Sequence, residues 1–157
     1  MKVSPQIRRG VVADVPQLVQ LVRQYWHFEG IEGFDPVRLT PLLKRLASEP
    51  EVGAIWVADA GGELVGYLIA VHSFSLEQQG PIAEIDEFFV SPAARTYGVG
   101  AALLDVAQSD LADGGCVCLQ LQLGKDNYRA RAFYRRHGYK EREGYELLDK
   151  RITERES

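Results

Sequence analysis

The chain has 157 residues, of which 46% are hydrophobic, and a formal net charge of −4 at pH 7. This length and apolar content predict a single domain over 1–157 with its own core, and the acidic balance argues against nucleic acid as a partner. No apolar run approaches the roughly twenty residues that cross a bilayer, and no basic segment leads into an apolar one at the N-terminus, so we expect a soluble, cytoplasmic protein that is not bound to a membrane.

The first third of the chain is predicted to form a strand and two helices. Residues 6–9 favour a short strand. Asp14 is expected to cap the start of a helix together with Gln17, three residues later. The pair Thr40-Pro41 marks a second helix that continues to about Ser48. The first helix is expected to bury one stripe of side chains, formed by Leu18, Leu21, Val22 and Tyr25.

Three strands follow, and the third is irregular. Residues 54–60 and 64–74 are joined at a Gly-Gly pair that favours a β-hairpin, and residues 83–90 form the next strand. Along this last strand apolar and polar residues alternate until two charged residues, Asp86 and Glu87, are followed by two phenylalanines. This slip in the period of two predicts a β-bulge, which re-aims side chains and frees backbone groups from the ladder.

A glycine-containing turn after this strand predicts an anion site. The strand ends at Val90, and Gly98 and Gly100 open an apolar helix that continues to about Ala112. The first turn of a helix has backbone N–H groups without intrahelical partners and the positive end of the helix dipole. Glycine lets a ligand approach the backbone, and Arg95 adds a positive charge. The segment therefore favours a diphosphate, although a purely structural turn would use the same glycines.

The remaining sequence predicts a strand over 117–123 and a final strand over 145–152. Cys116 and Cys118 alternate on the first of these strands. Their spacing is poor for a disulfide, and a second pair of metal ligands is missing, so we interpret both as small hydrophobic side chains in a reducing compartment and expect no metal.

Between these two strands, residues 127–139 predict a helix with a glycine stop at Gly138. One face of the helix is formed by Ala130, Phe133, Tyr134 and His137. Together with residues 95–100, this segment resembles the GNAT superfamily of acyl-coenzyme A dependent N-acetyltransferases. The signature of that family is Arg/Gln-x-x-Gly-x-Gly/Ala, followed later by Asn-x-x-Ala-x-x-Phe-Tyr-x-x-x-Gly-Phe/Tyr. Every defining position is filled here, and Thr96 stands where many relatives have glycine.

The resemblance implies a fold and a reaction. The fold is α+β, with a mixed, mostly antiparallel twisted sheet flanked by helices and a bulged central strand that is splayed from its neighbour to admit the cofactor. The reaction is direct transfer of the acetyl group of acetyl-CoA to an amine. An acyl-enzyme is not expected, because neither cysteine lies in the setting of a nucleophile.

The resemblance also implies roles for individual residues. Tyr134 would be the general acid toward the leaving thiolate. Glu84 or Asp86 would remove a proton from the amine, and Glu87 is a third candidate. The aromatic cluster 25–28 is interpreted as core, with a wall of the acceptor pocket as the alternative. The cofactor-binding residues would be Phe88, Phe89, Val90, Arg95, Thr96, Tyr97, Gly98, Val99, Gly100, Ala101 and Asn127.

The uneven distribution of charge bears on the acceptor. No lysine or arginine lies between Arg45 and Arg95, an interval with eight carboxylates, whereas ten basic residues lie from Lys125 onward. We expect a small cationic amine as the acceptor, polyamine-like or an amino-acid derivative. A peptide or protein N-terminus or lysine, and a non-catalytic coenzyme A binding or sensor module, stay open as alternatives. Many members of the resembled family are dimers, and the apolar strand after Gly144 could pair across a homodimer interface.

Overall fold

The architecture is built on one five-stranded sheet, seen in a computed structural model that describes residues 4–154. Its strands, in chain order and in sheet order, are β1 (Gln6–Arg9), β2 (Gly53–Ala60), β3 (Glu63–Ser75), β4 (Gly80–Val90) and β5 (Cys118–Leu121). Neighbours pair antiparallel from β1 to β4, whereas β4 and β5 are parallel. The prediction of a mixed, mostly antiparallel sheet in an α+β protein is therefore confirmed.

Along the chain, four α-helices lie between or after these strands in residues 4–154. They are α1 (Val15–Glu29), α2 (Pro36–Ser48), α3 (Val99–Asp113) and α4 (Tyr128–Arg136). None of the helices between residues 4 and 154 is both long and apolar enough to cross a membrane. By internal contacts the chain divides into two compact units, Met1–Gln122 and Leu123–Ser157, and α4 belongs to the second. That residues 1–157 form one domain stays a prediction.

In the first unit, both faces of the sheet are covered. On one face, α1 and α2 pack against side chains of β2, β3 and β4 that include Ile55, Tyr67, Ile69 and Phe89. On the other face α3 contacts the same strands, and the indole N–H of Trp56 donates to Asp110 of α3 at 2.7 Å. Strand β2 is buried on both sides along most of its length, which explains its continuous apolar sequence.

Two predicted element boundaries were wrong. Helix α2 begins one turn before Thr40-Pro41, because Asp35 caps it by accepting a hydrogen bond from the N–H of Val37 at 3.0 Å and Pro36 takes the first position. Strand β5 is shorter than the predicted 117–123, because its pairing with β4 ends at Leu121. Cys116 therefore precedes the strand, and both cysteines are free thiols that are half-buried rather than buried.

The predicted final strand over 145–152 was also wrong. These residues have no regular secondary structure, and no strand is described in residues 123–154. The sequence pattern also fails, because Leu147 and Leu148 are adjacent and cannot both face one side of a strand. Both leucines are exposed.

Asp14 precedes α1 as predicted, but its carboxylate joins β1 to the start of the helix instead of capping it. The backbone of Asp14 is itself helical, and no hydrogen bond from its side chain caps α1. The carboxylate accepts from both Nη atoms of Arg8, at 2.8 and 2.9 Å, and from the N–H of Val11 at 2.8 Å. The predicted partner in the cap, Gln17, instead bonds the β2–β3 hairpin through Gly62 and Leu64.

Replacing Asp14 with asparagine should lower the free energy of unfolding at pH 7 by about 2–4 kcal/mol, because a buried partner of Arg8 is lost. The hydrogen bonds from Arg8 lower the pKa of Asp14. A lowered pKa in the folded state stabilises the protein above the unfolded pKa of about 3.9, and this stabilisation is lost as the pH falls through the folded pKa. The difference from wild type should therefore narrow below about pH 4 in denaturant titrations.

The matched control is Asp35→Asn, which removes an exposed carboxylate paired with Arg38, keeps a side-chain oxygen that can cap α2, and should cost about 1 kcal/mol or less. Equal losses for the two variants at pH 7 would contradict the role assigned to Asp14.

Candidate active site

The site begins at an irregularity in β4. Ile69 of β3 lies opposite Glu87, and the next residue, Ala70, lies opposite Ile85, so Asp86 is an extra residue on β4. The parallel pairing of β4 with β5 runs from Ile82 to Ile85 and ends there. Beyond the bulge, residues 87–90 are paired only with β3 among the described strands. The predicted β-bulge is confirmed, and it lies where the pairing of β4 with β5 ends.

Three carboxylates lie at this point. Glu84 is half-buried, and its Oε1 accepts from Nε2 of Gln122 at 3.0 Å. Asp86, at the bulge, is the most exposed of the three. Partial desolvation, with the negative charge of Glu84 nearby, raises the pKa of Asp86. Negative charge is therefore concentrated where the sheet opens, as the acid-rich sequence interval indicated.

The third carboxylate, Glu87, is held by two neutral donors. The indole N–H of Trp26, near the end of α1, donates to Oε2 at 2.7 Å, and the hydroxyl of Tyr67 on β3 donates to Oε1 at 2.8 Å. Desolvation raises the pKa of Glu87, and so does the charge of Asp86, whereas the two hydrogen bonds lower it. Burial, with the charges of nearby carboxylates, raises the pKa of Tyr25 to about 12.

The predicted anion cradle lies at the N-terminus of α3. A 3-10 helix, Pro92–Tyr97, follows β4, and Gly98 then adopts φ +69° as the residue that precedes α3. A Cβ at Gly98 would meet no heavy atom within 4 Å, so the space beside this backbone is open. The first-turn N–H groups of a helix of this length are donors for an anion. The local backbone therefore fits a diphosphate group.

Arg95 lies beside this turn but is directed at β4 and the end of α1. Its Nε donates to the carbonyl of Val90 at 2.9 Å. Its guanidinium carbon lies 4.7 Å from the ring centre of Phe28 and 5.5 Å from that of Phe89. These cation–π contacts hold the side chain half-buried. That Arg95 also binds a phosphate stays a prediction.

The second unit contains the other two predicted site residues. Asn127 precedes α4 and accepts from the N–H of Ala130 at 3.2 Å, so it caps this helix. Tyr134 lies on the half-buried face of α4, with its ring edge-on to Phe133 and Tyr139 at 5.3 Å between ring centres. The predicted helical face and the glycine stop, at Gly138 with φ +89°, are both confirmed.

Comparisons with known proteins agree with this geometry. Residues 15–139 match the model of the acetyltransferase (GNAT) family. The chain belongs to the GNAT acetyltransferase family. It is therefore an acyltransferase of the N-acetyltransferase type, a family that uses acetyl-CoA.

Two relatives and one solved structure are similar to this acetyltransferase over most of its length. It is 31% identical to the uncharacterized N-acetyltransferase YhfO of Bacillus subtilis, over 88% of this chain and 92% of that protein. It is 30% identical to the aminoglycoside N(6')-acetyltransferase type 1 of Stenotrophomonas maltophilia, over 89% of each chain. The structure of the aminoglycoside N-acetyltransferase AAC(6')-Iy in complex with CoA shares the fold, with a TM-score of 0.80 at 19% identity over 94% of this chain and 95% of that chain.

Most residues predicted to bind the cofactor of this acetyltransferase lie between the bulge and the first turn of α3. Phe88 and Val90 are half-buried on β4, and Phe89 is buried, with its ring against Tyr25 and Tyr67. Tyr97 is largely exposed, Val99 is buried, and Gly100 and Ala101 are half-buried. Thr96 lies in the 3-10 helix, and its side chain lies outside the described part of the chain.

The sequence did not indicate that Trp26 and Tyr67 contact Glu87, a predicted site residue of this acetyltransferase. Trp26 was one residue of an aromatic cluster interpreted as core, and Tyr67 is a fully buried residue of a strand. Trp26 does pack against the core with Tyr25, whereas Phe28 is mostly exposed. The one sequence feature that pointed to this part of the site was Glu87 itself, because it lies where the alternation of apolar and polar residues along β4 breaks.

Replacing Gly98 with valine should weaken coenzyme A binding by about tenfold or more. Valine at a positive φ is strained by about 1–2 kcal/mol, so the turn would shift the first N–H groups of α3. Asparagine, which tolerates this conformation, should cost less. The control is Gly30→Val, since Gly30 ends α1 with φ +67° and open space around it but lies outside the cradle. Calorimetry with coenzyme A gives the dissociation constants, and an equal loss in the Gly30 variant would contradict the cradle.

Proposed function

We propose that this enzyme transfers the acetyl group of acetyl-CoA directly to a primary amine of a small cationic molecule, polyamine-like or an amino-acid derivative. The observation behind the proposal is the group formed by Glu84, Asp86 and Glu87 where β4 and β5 part. Concentrated negative charge attracts an ammonium group. The relative named as an aminoglycoside N(6')-acetyltransferase supports a small-molecule amine as the acceptor class.

In this proposal the diphosphate of acetyl-CoA binds the N–H groups that follow Gly98, with Arg95 nearby. The open backbone at Gly98 supports this placement. Backbone N–H groups of Phe88 to Val90, on the part of β4 that β5 leaves unpaired, would polarise the thioester carbonyl. Asn127 would bond the pantetheine arm or order the loop, a role compatible with its cap of α4.

The reaction then removes two protons from the acceptor nitrogen and delivers one to the leaving sulfur. A primary amine has a pKa near 10.4, so a base must remove its proton at neutral pH. Glu84 or Asp86 does so directly or through a water molecule, and the raised pKa of Asp86 makes it a stronger base than an ordinary aspartate. The amine nitrogen forms a bond to the carbonyl carbon, the carbon–sulfur bond breaks, and the hydroxyl of Tyr134 gives a proton to the leaving sulfur. The nitrogen loses its second proton as the amide forms, and a proton returns to the Tyr134 oxygen directly or through water. The products are an amide and free coenzyme A.

The test follows thiol release from acetyl-CoA with a panel of acceptors: spermidine, free amino acids, an aminoglycoside and a lysine-containing peptide. We expect release with one of the small cations and background with the peptide. Coenzyme A binding without thiol release for any acceptor would favour the non-catalytic alternative. A cytoplasmic location, independence of metal, lack of a nucleic-acid partner and a homodimer stay predictions beside this proposal.

A further inference from the structure

We propose that Trp26 and Tyr67 are positioning residues that fix Glu87 as the anion receiving the ammonium group of the acceptor. This inference rests on the proposed function and deepens it. Glu87 thereby becomes the residue that selects a cationic acceptor, while Glu84 or Asp86 takes the proton.

The first argument is geometric. The two oxygens of Glu87 accept from donors on two different elements, Trp26 of α1 at 2.7 Å and Tyr67 of β3 at 2.8 Å. Both donors are themselves held, because Tyr67 is fully buried and the Trp26 ring packs edge-on against Phe34 at 5.9 Å. A carboxylate bonded at both oxygens from separate elements cannot rotate freely. The orientation of Glu87 is therefore set by the fold.

The second argument concerns charge. Ion pairs described in residues 4–122 join Arg8 to Asp14 and Asp59, Arg38 to Asp35, and Arg45 to Glu49. Glu87 differs from these carboxylates, because it is half-buried and its two described donors, Trp26 and Tyr67, are neutral. A carboxylate withdrawn from water is unfavourable without a counter-charge. An ammonium group of the acceptor supplies the charge that these two donors do not.

The third argument concerns ionisation. The titratable groups that interact with Glu87 are Asp86 on β4, Tyr67 on β3 and Tyr25 on α1. Glu84 acts in turn on Asp86, and Glu29 acts on Tyr25. Burial and Asp86 raise the pKa of Glu87, and the two donors oppose this rise. Removing either donor should therefore raise the pKa further, and the fraction of ionised Glu87 near neutral pH should fall.

The chain offers a matched control. It contains two tryptophans, and Trp56 also donates its indole N–H to a carboxylate, Asp110, at 2.7 Å. Trp56→Phe removes an equivalent hydrogen bond on the other face of the sheet, away from Glu87. A change in the pKa of Glu87 or in acceptor binding that occurs in Trp26→Phe and not in Trp56→Phe is therefore caused by loss of the hydrogen bond to Glu87.

The decisive experiment measures the ionisation of Glu87 without turnover, so it is independent of the proposed function. Glutamate labelled with carbon-13 at the carboxyl is incorporated, the Glu87 signal is assigned by its loss in Glu87→Gln, and its chemical shift is followed against pH. We expect the midpoint to rise by about half a pH unit or more in Trp26→Phe and in Tyr67→Phe, and to stay unchanged in Trp56→Phe. An unchanged midpoint in the first two variants overturns the positioning role.

Binding of a cation is tested by fluorescence in Trp56→Phe, where Trp26 is the remaining tryptophan. Spermidine should change the emission in a saturable way, whereas 1,8-octanediol, an uncharged chain of similar length, should not. Adding Glu87→Gln should abolish the spermidine response. A response that survives Glu87→Gln, equal responses to both probes, or no response to spermidine overturns the inference. If thiol release fails while both experiments succeed, the proposed function is wrong and the role of Glu87 as a cation receptor stands.

Discussion

Replacing Tyr134 with phenylalanine should lower kcat by a factor of about 100 or more while the Kd for coenzyme A changes by less than about twofold. The substitution removes the hydroxyl assigned to protonate the leaving thiolate and keeps the ring. Ring packing should survive, because the aromatic contacts of Tyr134 with Phe133 and Tyr139 do not need the hydroxyl. Steady-state kinetics with saturating acetyl-CoA and calorimetry with coenzyme A measure the two quantities.

Tyr139→Phe is the matched control for this prediction. Tyr139 belongs to the same aromatic group, at 5.3 Å from Tyr134 between ring centres, and has no assigned role in proton transfer. Its kcat should stay within about twofold of wild type. If the two variants lose kcat equally, or if Tyr134→Phe loses coenzyme A affinity instead, the assignment of Tyr134 as the general acid is wrong.

Replacing Glu87 with glutamine should raise KM for the acceptor by about 30-fold or more and leave KM for acetyl-CoA nearly unchanged. A hydrogen-bonded charge pair in a half-buried site contributes roughly 2–3 kcal/mol, which corresponds to this factor. Glu63→Gln, an exposed carboxylate on β3, should change neither constant. A rise in KM for acetyl-CoA that matches the rise for the acceptor would contradict the role of Glu87 as the ammonium site.

The same variant should be more stable than wild type at neutral pH. Burial raises the pKa of Glu87 in the folded state, so ionisation opposes folding as the pH rises from the unfolded pKa of about 4.3 through the folded pKa. The thermal midpoint of Glu87→Gln should exceed that of wild type by roughly 2–4 °C at pH 8, and the two should converge near pH 4. Loss of stability at pH 8 would show that the carboxylate stabilises the fold.

Local sequence patterns predicted those features whose causes are local. The β2–β3 hairpin follows from two adjacent glycines, both of which adopt positive φ, and α4 follows from its cap residue and its glycine stop. The bulge was also readable, because one extra residue shifts the alternation of side chains wherever it occurs. The predicted strand over 145–152 failed because a strand exists only if another strand pairs with it, and local sequence does not supply that partner.

For the site, the family motifs, the glycine turn before α3 and the acidic stretch at the bulge could all be read from the sequence. Which carboxylate is held in place depends on the packing of distant segments. Trp26, Tyr67 and Glu87 are distant in sequence, and their contacts depend on α1 packing against β3 and β4. Hydrogen bonds between distant segments leave no periodic trace, because each partner also satisfies the ordinary pattern of its own helix or strand.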